Sequence, residues 1–208
     1  MLFDLDGTLI DSVELIVRSF LHATAVHLGA SPPRAAILAT IGRPLEPVLE
    51  GLAPGRGALL LATYRAYTRE HHDALVRPFP GAVELLRALW ERGYRLGIVT
   101  SKSRPQAELA FRLCALEPLV DVTVCAEDAP RLKPAADPLL LAASRLAVAP
   151  MNCLYVGDTV HDLGAARAAE MASAAVLWGA GACEELAALS PDLWLTEPLA
   201  LLDHCPPR

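Results

Sequence analysis

The sequence predicts an α/β protein, with a Rossmann-like parallel sheet carrying helices on both faces and an all-helical segment inserted after the first strand. Three observations predict it. An apolar opening, Met1-Leu2-Phe3, runs straight into Asp4, Asp6 and Gly7, which reads as a short buried strand ended by a tight turn. Residues 13 to about 77 then carry apolar residues at helical spacing with no alternating strand pattern. From residue 82 onward, short apolar runs alternate with helical ones, the pattern of strands and crossover helices in a parallel sheet.

Length and composition fit that outline. The 208 residues exceed a typical single domain without reaching two full ones. The expectation is therefore one α/β core from residues 1–12 and 78–208, with residues 13–77 as a separate helical unit. Hydrophobic residues make up 53% of the chain and aromatic ones 5%, so the core must be built mainly from Ala, Leu and Val. No apolar run approaches the ~20 residues of a membrane span. No basic segment precedes an apolar one at the start, so neither a membrane nor export is expected and the reading is cytoplasmic. A net charge of −6 argues against a nucleic-acid partner. The five cysteines include no CxxC pair, which speaks against a zinc site or a disulfide framework. Cys125 and Cys153 lie in strand-like runs and read as small buried apolar residues.

Taken in order, Asp11 and Ser12 are both good N-caps, and Glu14 completes a capping-box pattern with Asp11. The helix that follows repeats Val13, Ile16, Val17, Phe20, Leu21, Ala25 and Leu28, with Gly29 as its stop. Pro32-Pro33 opens a short helix ending near Thr40, residues 46–52 form another, and residues 58–72 a longer one whose His71-His72 pair reads as a solvated face. The proline-rich stretch 77–81 is the expected boundary. Beyond it the pattern gives helices at 82–92, 105–114, 134–146, 162–169 and 184–189. Strands fall at 94–99, 119–126, 152–157, 174–178 and 192–195, with a helical tail from Leu199. Three residues before Asp4 is short for a central strand. Either the strand is abbreviated or the true start lies upstream.

Along extended backbone, side chains two apart point the same way, so Asp4 and Asp6 share one pocket. Two such carboxylates repel unless a cation or a shared proton intervenes. That favours a metal-assisted catalytic site over an acidic turn closing an edge strand. In a parallel sheet, ligands bind beyond the carboxyl ends of the strands, where these residues and Thr100 and Asp158 fall.

The stretch Asp4-Leu5-Asp6-Gly7-Thr8-Leu9 resembles the first motif of the haloacid dehalogenase-like hydrolases. Thr100 at a strand end resembles the second, Lys133 in Arg131-Leu132-Lys133-Pro134 the third, and Tyr155-Val156-Gly157-Asp158-Thr159-Val160-His161-Asp162-Leu163 the fourth. Ala136 stands where the family often has a further proline. The resemblance implies that Asp4 is a nucleophile forming an aspartyl-phosphate and Asp6 a general acid and base. Thr100 and Ser101 would hold the phosphoryl group and Lys133 would neutralise it; Lys102, by its loop position, reads as solvated. It implies Mg²⁺ with Asp4, Asp6 and Asp158 as ligands; Asp162 either holds a metal-bound water or caps its helix. The helical unit would be a substrate-selecting cap, in which Arg43 either reaches an anionic group of the substrate or is an exposed loop arginine. Gly179-Ala180-Gly181 is weak evidence of a phosphate turn.

Within the family, the helical insert, the fourth motif and Trp178-Gly179 look most like the phosphoglycolate phosphatase group. The implied partner is a small phosphorylated metabolite, phosphoglycolate first, acted on by a monomer or homodimer. Alternatives are a pyrophosphatase, a phosphomutase acting on a sugar phosphate and, ranked lower, a non-catalytic phospho-signalling module.

Overall fold

Leu2–Phe3 (β1) forms the centre of the sheet in the computed structural model, which describes residues 1–207. Two residues suffice there because backbone pairing runs past the strand at both ends. Gly97 N–H donates to the Met1 carbonyl, and Asp4 N–H donates to that of Val156, each at 2.9 Å. A short antiparallel ribbon follows, Ile10–Asp11 (β2) against Arg77–Pro78 (β3). Between its two strands run four helices, Val13–Leu28 (α1), Arg34–Leu38 (α2), Leu45–Leu52 (α3) and Gly57–Leu75 (α4). The ribbon brings the two ends of the helical segment together. It was absent from the sequence reading because two residues are too few to show a period of two.

The remaining chain alternates as expected: Ala82–Glu91 (α5), Gly97–Val99 (β4), Arg104–Leu113 (α6), Val122–Val124 (β5), Asp137–Arg145 (α7), Leu154–Gly157 (β6), Val160–Ala168 (α8), Ala172–Val176 (β7), Cys183–Ala187 (α9) and Leu193–Leu195 (β8). A 3₁₀ segment, Pro198–His204, replaces the predicted helical tail. The six-stranded sheet has the order β5-β4-β1-β6-β7-β8, all pairs parallel. The strand order reverses at β1. The chain builds outward through β4 and β5, then crosses back to build β6, β7 and β8 on the other side. A crevice at such a switch point is where ligands enter parallel sheets.

Alternate residues of β1 serve opposite faces. Phe3 packs with Leu85, Leu89, Ala107 and Phe111 from α5 and α6, whereas Leu2 packs with Leu139, Ala143, Ala165 and Ala166 from α7 and α8. Leu2 and Phe3 are fully buried, worth roughly 1.5–3 kcal/mol each. The helical segment has its own apolar cluster, including Val17, Phe20, Ile37, Leu49, Leu60 and Tyr64. Within it Phe20 and Tyr64 meet edge to face, ring centroids 5.3 Å apart. Cys125 and Cys153 are buried free thiols. No helix among the described residues is long and apolar enough to cross a membrane.

Two local expectations are corrected. Asp11 is not a cap: it is exposed in β2, opposite Arg77. Ser12 takes the N-cap position of α1, but its hydroxyl donates to Asp6 and makes no cap bond. His71-His72 is not a solvated face either. His72 is 1% exposed with its Nδ1 2.9 Å from Asp73 Oδ1, and His71 stacks on Tyr67 at 3.9 Å. The long helix is wedged against its neighbours on more of its circumference than its polar letters suggest.

Candidate active site

The carboxyl ends of β1, β4 and β6 converge on one buried ammonium. Lys133 Nζ donates to Asp4 Oδ1 at 2.7 Å, to Asp162 Oδ1 at 2.6 Å and to Tyr155 OH at 2.9 Å, and lies 3.3 Å from the Val99 carbonyl. The Lys133 side chain is 1% exposed. Asp4 follows β1, Thr100 follows β4, and Asp158 follows β6, so the topology alone sets them side by side. Carboxylate oxygens of Asp4, Asp158 and Asp162 lie within 4.8 Å of one another.

Charge is unevenly settled in this group. Burial and then the neighbouring carboxylates Asp162 and Asp4 push Asp158 well above the usual carboxylate range. Burial raises Asp4 to about 7, although Lys133 pulls it down. Asp162 is also buried, yet Lys133 and the Thr159 hydrogen bonds hold it below its ordinary value. Lys133 is driven well above the usual lysine value, because Asp162 and Asp4 outweigh its own burial. Three carboxylates thus share one ammonium among the described residues; Asp162 is the one held ionised, and ionisation is opposed at Asp4 and Asp158.

Asp162 caps its helix, one of the two tasks weighed for it, and it also pairs with Lys133. Its Oδ2 accepts from Thr159 N–H at 3.0 Å and from Thr159 Oγ1 at 2.6 Å, closing a capping box at the start of α8. Its Oδ1 is taken by Lys133. Asp158 is secured from two other directions: Thr8 Oγ1 donates to Oδ1 at 3.2 Å and Ala180 N–H to Oδ2 at 2.8 Å. The Trp178 indole N–H ties the same loop to the Thr8 carbonyl at 3.0 Å.

Glycine is required at two of these approaches. Gly7 has φ +83°, and a Cβ there would run into the Asp158 carboxylate. A Cβ on Gly179 would meet the same side chain from the other side. Gly179 therefore has a use that its weak phosphate-turn pattern did not suggest: it lets the Ala180 N–H reach Asp158. Gly179→Ala is expected to cost about 1–3 kcal/mol as Asp158 is displaced. A denaturation midpoint equal to that of the unsubstituted chain would show that the loop moves freely.

Asp6 lies outside the carboxylate group that was expected to include it as a ligand. Its Oδ1 is taken by the Ser12 hydroxyl and the Lys102 ammonium. Lys102 is thus not solvated. Its side chain is 12% exposed and ion-paired, so the expectation drawn from its loop position is corrected. Thr100 is 4% exposed, and its Oγ1 accepts from the Lys102 N–H at 3.2 Å. Ser101 Oγ donates to the Gly42 carbonyl at 3.0 Å, joining the core loop to the helical segment. Arg43, next in sequence, is exposed and lines the cavity that opens above the site. That cavity has a volume of about 490 Å³, with Asp4, Asp6, Thr100, Ser101 and Lys133 in its lining.

Two groups of the site escaped the sequence reading. Tyr155 is fully buried and hydrogen-bonds Lys133, with its hydroxyl 3.0 Å from the Val99 carbonyl. In sequence it is an aromatic inside a strand, indistinguishable from core. Trp178-Gly179 enters the family resemblance, but nothing in the letters says that the Ala180 N–H reaches Asp158.

Comparison with known proteins places this arrangement in context. The family model for haloacid dehalogenase-like hydrolases matches residues 1–176. Pyrophosphatase PpaX of Anoxybacillus flavithermus is 36% identical over 202 residues, covering 97% of this chain and 94% of that protein. Among solved structures, a haloacid dehalogenase-like family hydrolase of Streptococcus pneumoniae superposes with a TM-score of 0.86 at 29% identity, covering 98% of this chain and 96% of the other. A hydrolase of Pseudomonas syringae superposes with a TM-score of 0.87 at 29% identity, covering 98% and 95%.

Proposed function

The chain belongs to the haloacid dehalogenase-like hydrolases, and from that premise we propose that it hydrolyses a small phosphorylated substrate through an aspartyl-phosphate on Asp4, with Mg²⁺ as cofactor. The observation that carries this reading is the Lys133 ammonium held between Asp4 and Asp162, with Asp158 beside them, at the floor of an open cavity.

The residues suit a hard divalent cation. The group offers only oxygen donors, and a cation beside Asp4 and Asp158 would favour the ionised forms that burial and crowding oppose. Each oxygen of Asp162 accepts two hydrogen bonds, from Lys133 and Tyr155 and from the Thr159 N–H and hydroxyl, whereas each oxygen of Asp158 accepts one, so Asp4 and Asp158 are the direct ligands and Asp162 acts by holding Lys133. Asp6 serves as acid and base rather than as a carboxylate ligand, since Lys102 and Ser12 hold it apart. When bound, the ion supplies neutralisation of the charge gathered on the phosphoryl oxygens.

In the first step an oxygen of Asp4 bonds to phosphorus, the bond from phosphorus to the leaving oxygen breaks, and Asp6 gives that oxygen a proton. In the second, water attacks the phosphorus of the aspartyl-phosphate and Asp6 accepts its proton. Asp4 and inorganic phosphate are then free. Thr100 and Ser101 hold the phosphoryl group through hydroxyl and backbone N–H, and Lys133 neutralises it. Residues 13–77 form a cap over this floor, with residues 1–12 and 78–208 as the catalytic core, and the Ser101–Gly42 hydrogen bond supports such a closed arrangement. Arg43 reaches the outer part of the substrate. Phosphoglycolate heads the substrates the motifs suggest. The PpaX relatives support pyrophosphate as a second reading.

The test is release of inorganic phosphate from phosphoglycolate, pyrophosphate, sugar phosphates and nucleoside monophosphates, with Mg²⁺ and with EDTA. Release that requires Mg²⁺ is expected. Release unaffected by EDTA, or none from folded protein, would count against the reading.

Stability carries a second, independent test. Asp4 keeps its proton up to about pH 7 in the folded chain, but only up to about 3.8 when unfolded. Between those values folding takes up a proton, so this group's contribution declines as pH rises through the window. A cation has to displace that proton. Mg²⁺ at a hundred times its Kd adds about 2.7 kcal/mol, and the gain in Tm is expected to be larger at about pH 8 than at about pH 5. Equal gains at both would argue against Asp4 and Asp158 as ligands.

A further inference from the structure

We propose that the substrate of this site is a phosphomonoester whose leaving group has an apolar body several carbons long, rather than a diphosphate or the short, charged phosphoglycolate that the motifs suggest; the inference rests on the phosphohydrolase reading above. The cavity is larger than its chemistry requires. About 490 Å³ is roughly sixteen times the ~30 Å³ that a water occupies in the liquid, and a phosphoryl group at Asp4 fills only its floor.

What lines the rest is mainly apolar. Ile16, Phe20, Ile41, Leu45, Val48 and Tyr64 face this volume from the helical segment. Phe20, Ile41 and Tyr64 are buried, and Phe20 and Tyr64 belong to the segment's own core with Ile16, Leu45 and Val48 packed against it, so this wall is not a scatter of exposed side chains. Tyr64 and the proposed acid Asp6 line the same cavity. A leaving group whose oxygen is protonated by Asp6 therefore has Tyr64, Phe20 and Ile16 in the wall of the space it occupies.

The cations of the cavity argue the same way. Lys133 serves the floor, Lys102 is paired with Asp6, and Arg65 is paired with Glu46 at 3.1 Å. Arg43 makes no ion pair or side-chain hydrogen bond among the described residues, and it stands exposed. A second phosphoryl group seated against the apolar wall would bring a further charge or two into a place with one uncommitted guanidinium. Burying charge without partners is strongly unfavourable. Methylenes in the same place gain affinity, about fourfold each when fully buried.

The experiment uses the full chain with Mg²⁺ and two matched series. Methyl, butyl and hexyl phosphate are compared by kcat and KM, their leaving alcohols being of nearly equal acidity, so chain length changes contact more than chemistry. Methyl-, butyl- and hexylphosphonate, which cannot be hydrolysed at the carbon–phosphorus bond, are compared by Kd in titration calorimetry. Pyrophosphate is run beside them. KM and Kd are expected to fall at least about 30-fold from the methyl to the butyl compound, and Val48→Ser and Leu45→Ser to flatten both series. Because the slope is read within each variant, a partly destabilised variant still reports. A flat Kd series, or a kcat/KM for pyrophosphate above that of every ester, would overturn the inference. Phosphate release with a flat Kd series would leave the hydrolase reading standing without it. A steep Kd series with no release from any compound would uphold the apolar subsite and overturn the hydrolase reading.

Discussion

Asp4→Asn is expected to lower kcat for phosphate release by at least about 10⁴-fold while leaving the fold intact. The amide has the shape of the carboxylate but no anionic oxygen to attack phosphorus. Its carbonyl still accepts from Lys133 at the position now 2.7 Å away, and Lys133 keeps its stronger partner, Asp162, at 2.6 Å. One of three crowded carboxylates becomes neutral, which relieves Asp158, whose ionisation Asp4 opposes. The metal-free variant should therefore melt no lower than the unsubstituted chain. The pair of measurements is phosphate release in single turnover and Tm in EDTA. Retention of more than about one part in a hundred of the rate would place the nucleophile elsewhere. A large fall in Tm would mean that the carboxylate is structural.

Lys133→Met has the opposite balance, with stability lost as well as rate. The methylene stem is roughly kept, but Asp4, Asp158 and Asp162 lose the ammonium that offsets their charge, all within the buried group. Removing one partner from a buried charge network costs about 3–5 kcal/mol, and loss of the positive charge at a phosphoryl site about 10²–10³ in kcat. The pH dependence separates this from simple loss of packing. Carboxylates whose folded-state values are raised carry protons at low pH and need no cation there, so the deficit in Tm should shrink from about pH 8 to about pH 5. A deficit constant with pH would assign the loss to packing. Tyr155→Phe removes one hydrogen bond from the same ammonium and should cost only about 1 kcal/mol, which makes it the measure of how much of the effect is charge.

The strand ends were legible because each candidate follows a short apolar run. Asp4 closes Leu2–Phe3, Thr100 closes Gly97–Val99, and Asp158 closes Leu154–Gly157. Lys133 was legible only through its neighbours in sequence, since no periodicity marks a lysine before a proline. Lys102 was misjudged for a related reason. A loop lysine reads as solvated unless a partner is known, and its partner Asp6 is 96 residues away. The histidines of α4 depart from their polar letters on the same ground, because His72 is buried and His71 is half-buried against Tyr67.

By itself, then, the sequence determined the α/β alternation, the helical segment between Asp11 and Arg77, the family, and which carboxylates stand at the carboxyl ends of strands. These follow from local periodicity, turn residues and motif spacing, each readable within a dozen residues. Tertiary structure alone decided how the charges are shared. It gave Lys133 to Asp4 and Asp162, Lys102 to Asp6, and the Ala180 N–H to Asp158, pairings that span 22 to 129 residues. It also decided what the cavity above them is lined with. The physical reason is that burial and Coulomb interaction depend on distance in space. A parallel sheet with its switch point at β1 brings together residues that the chain keeps far apart.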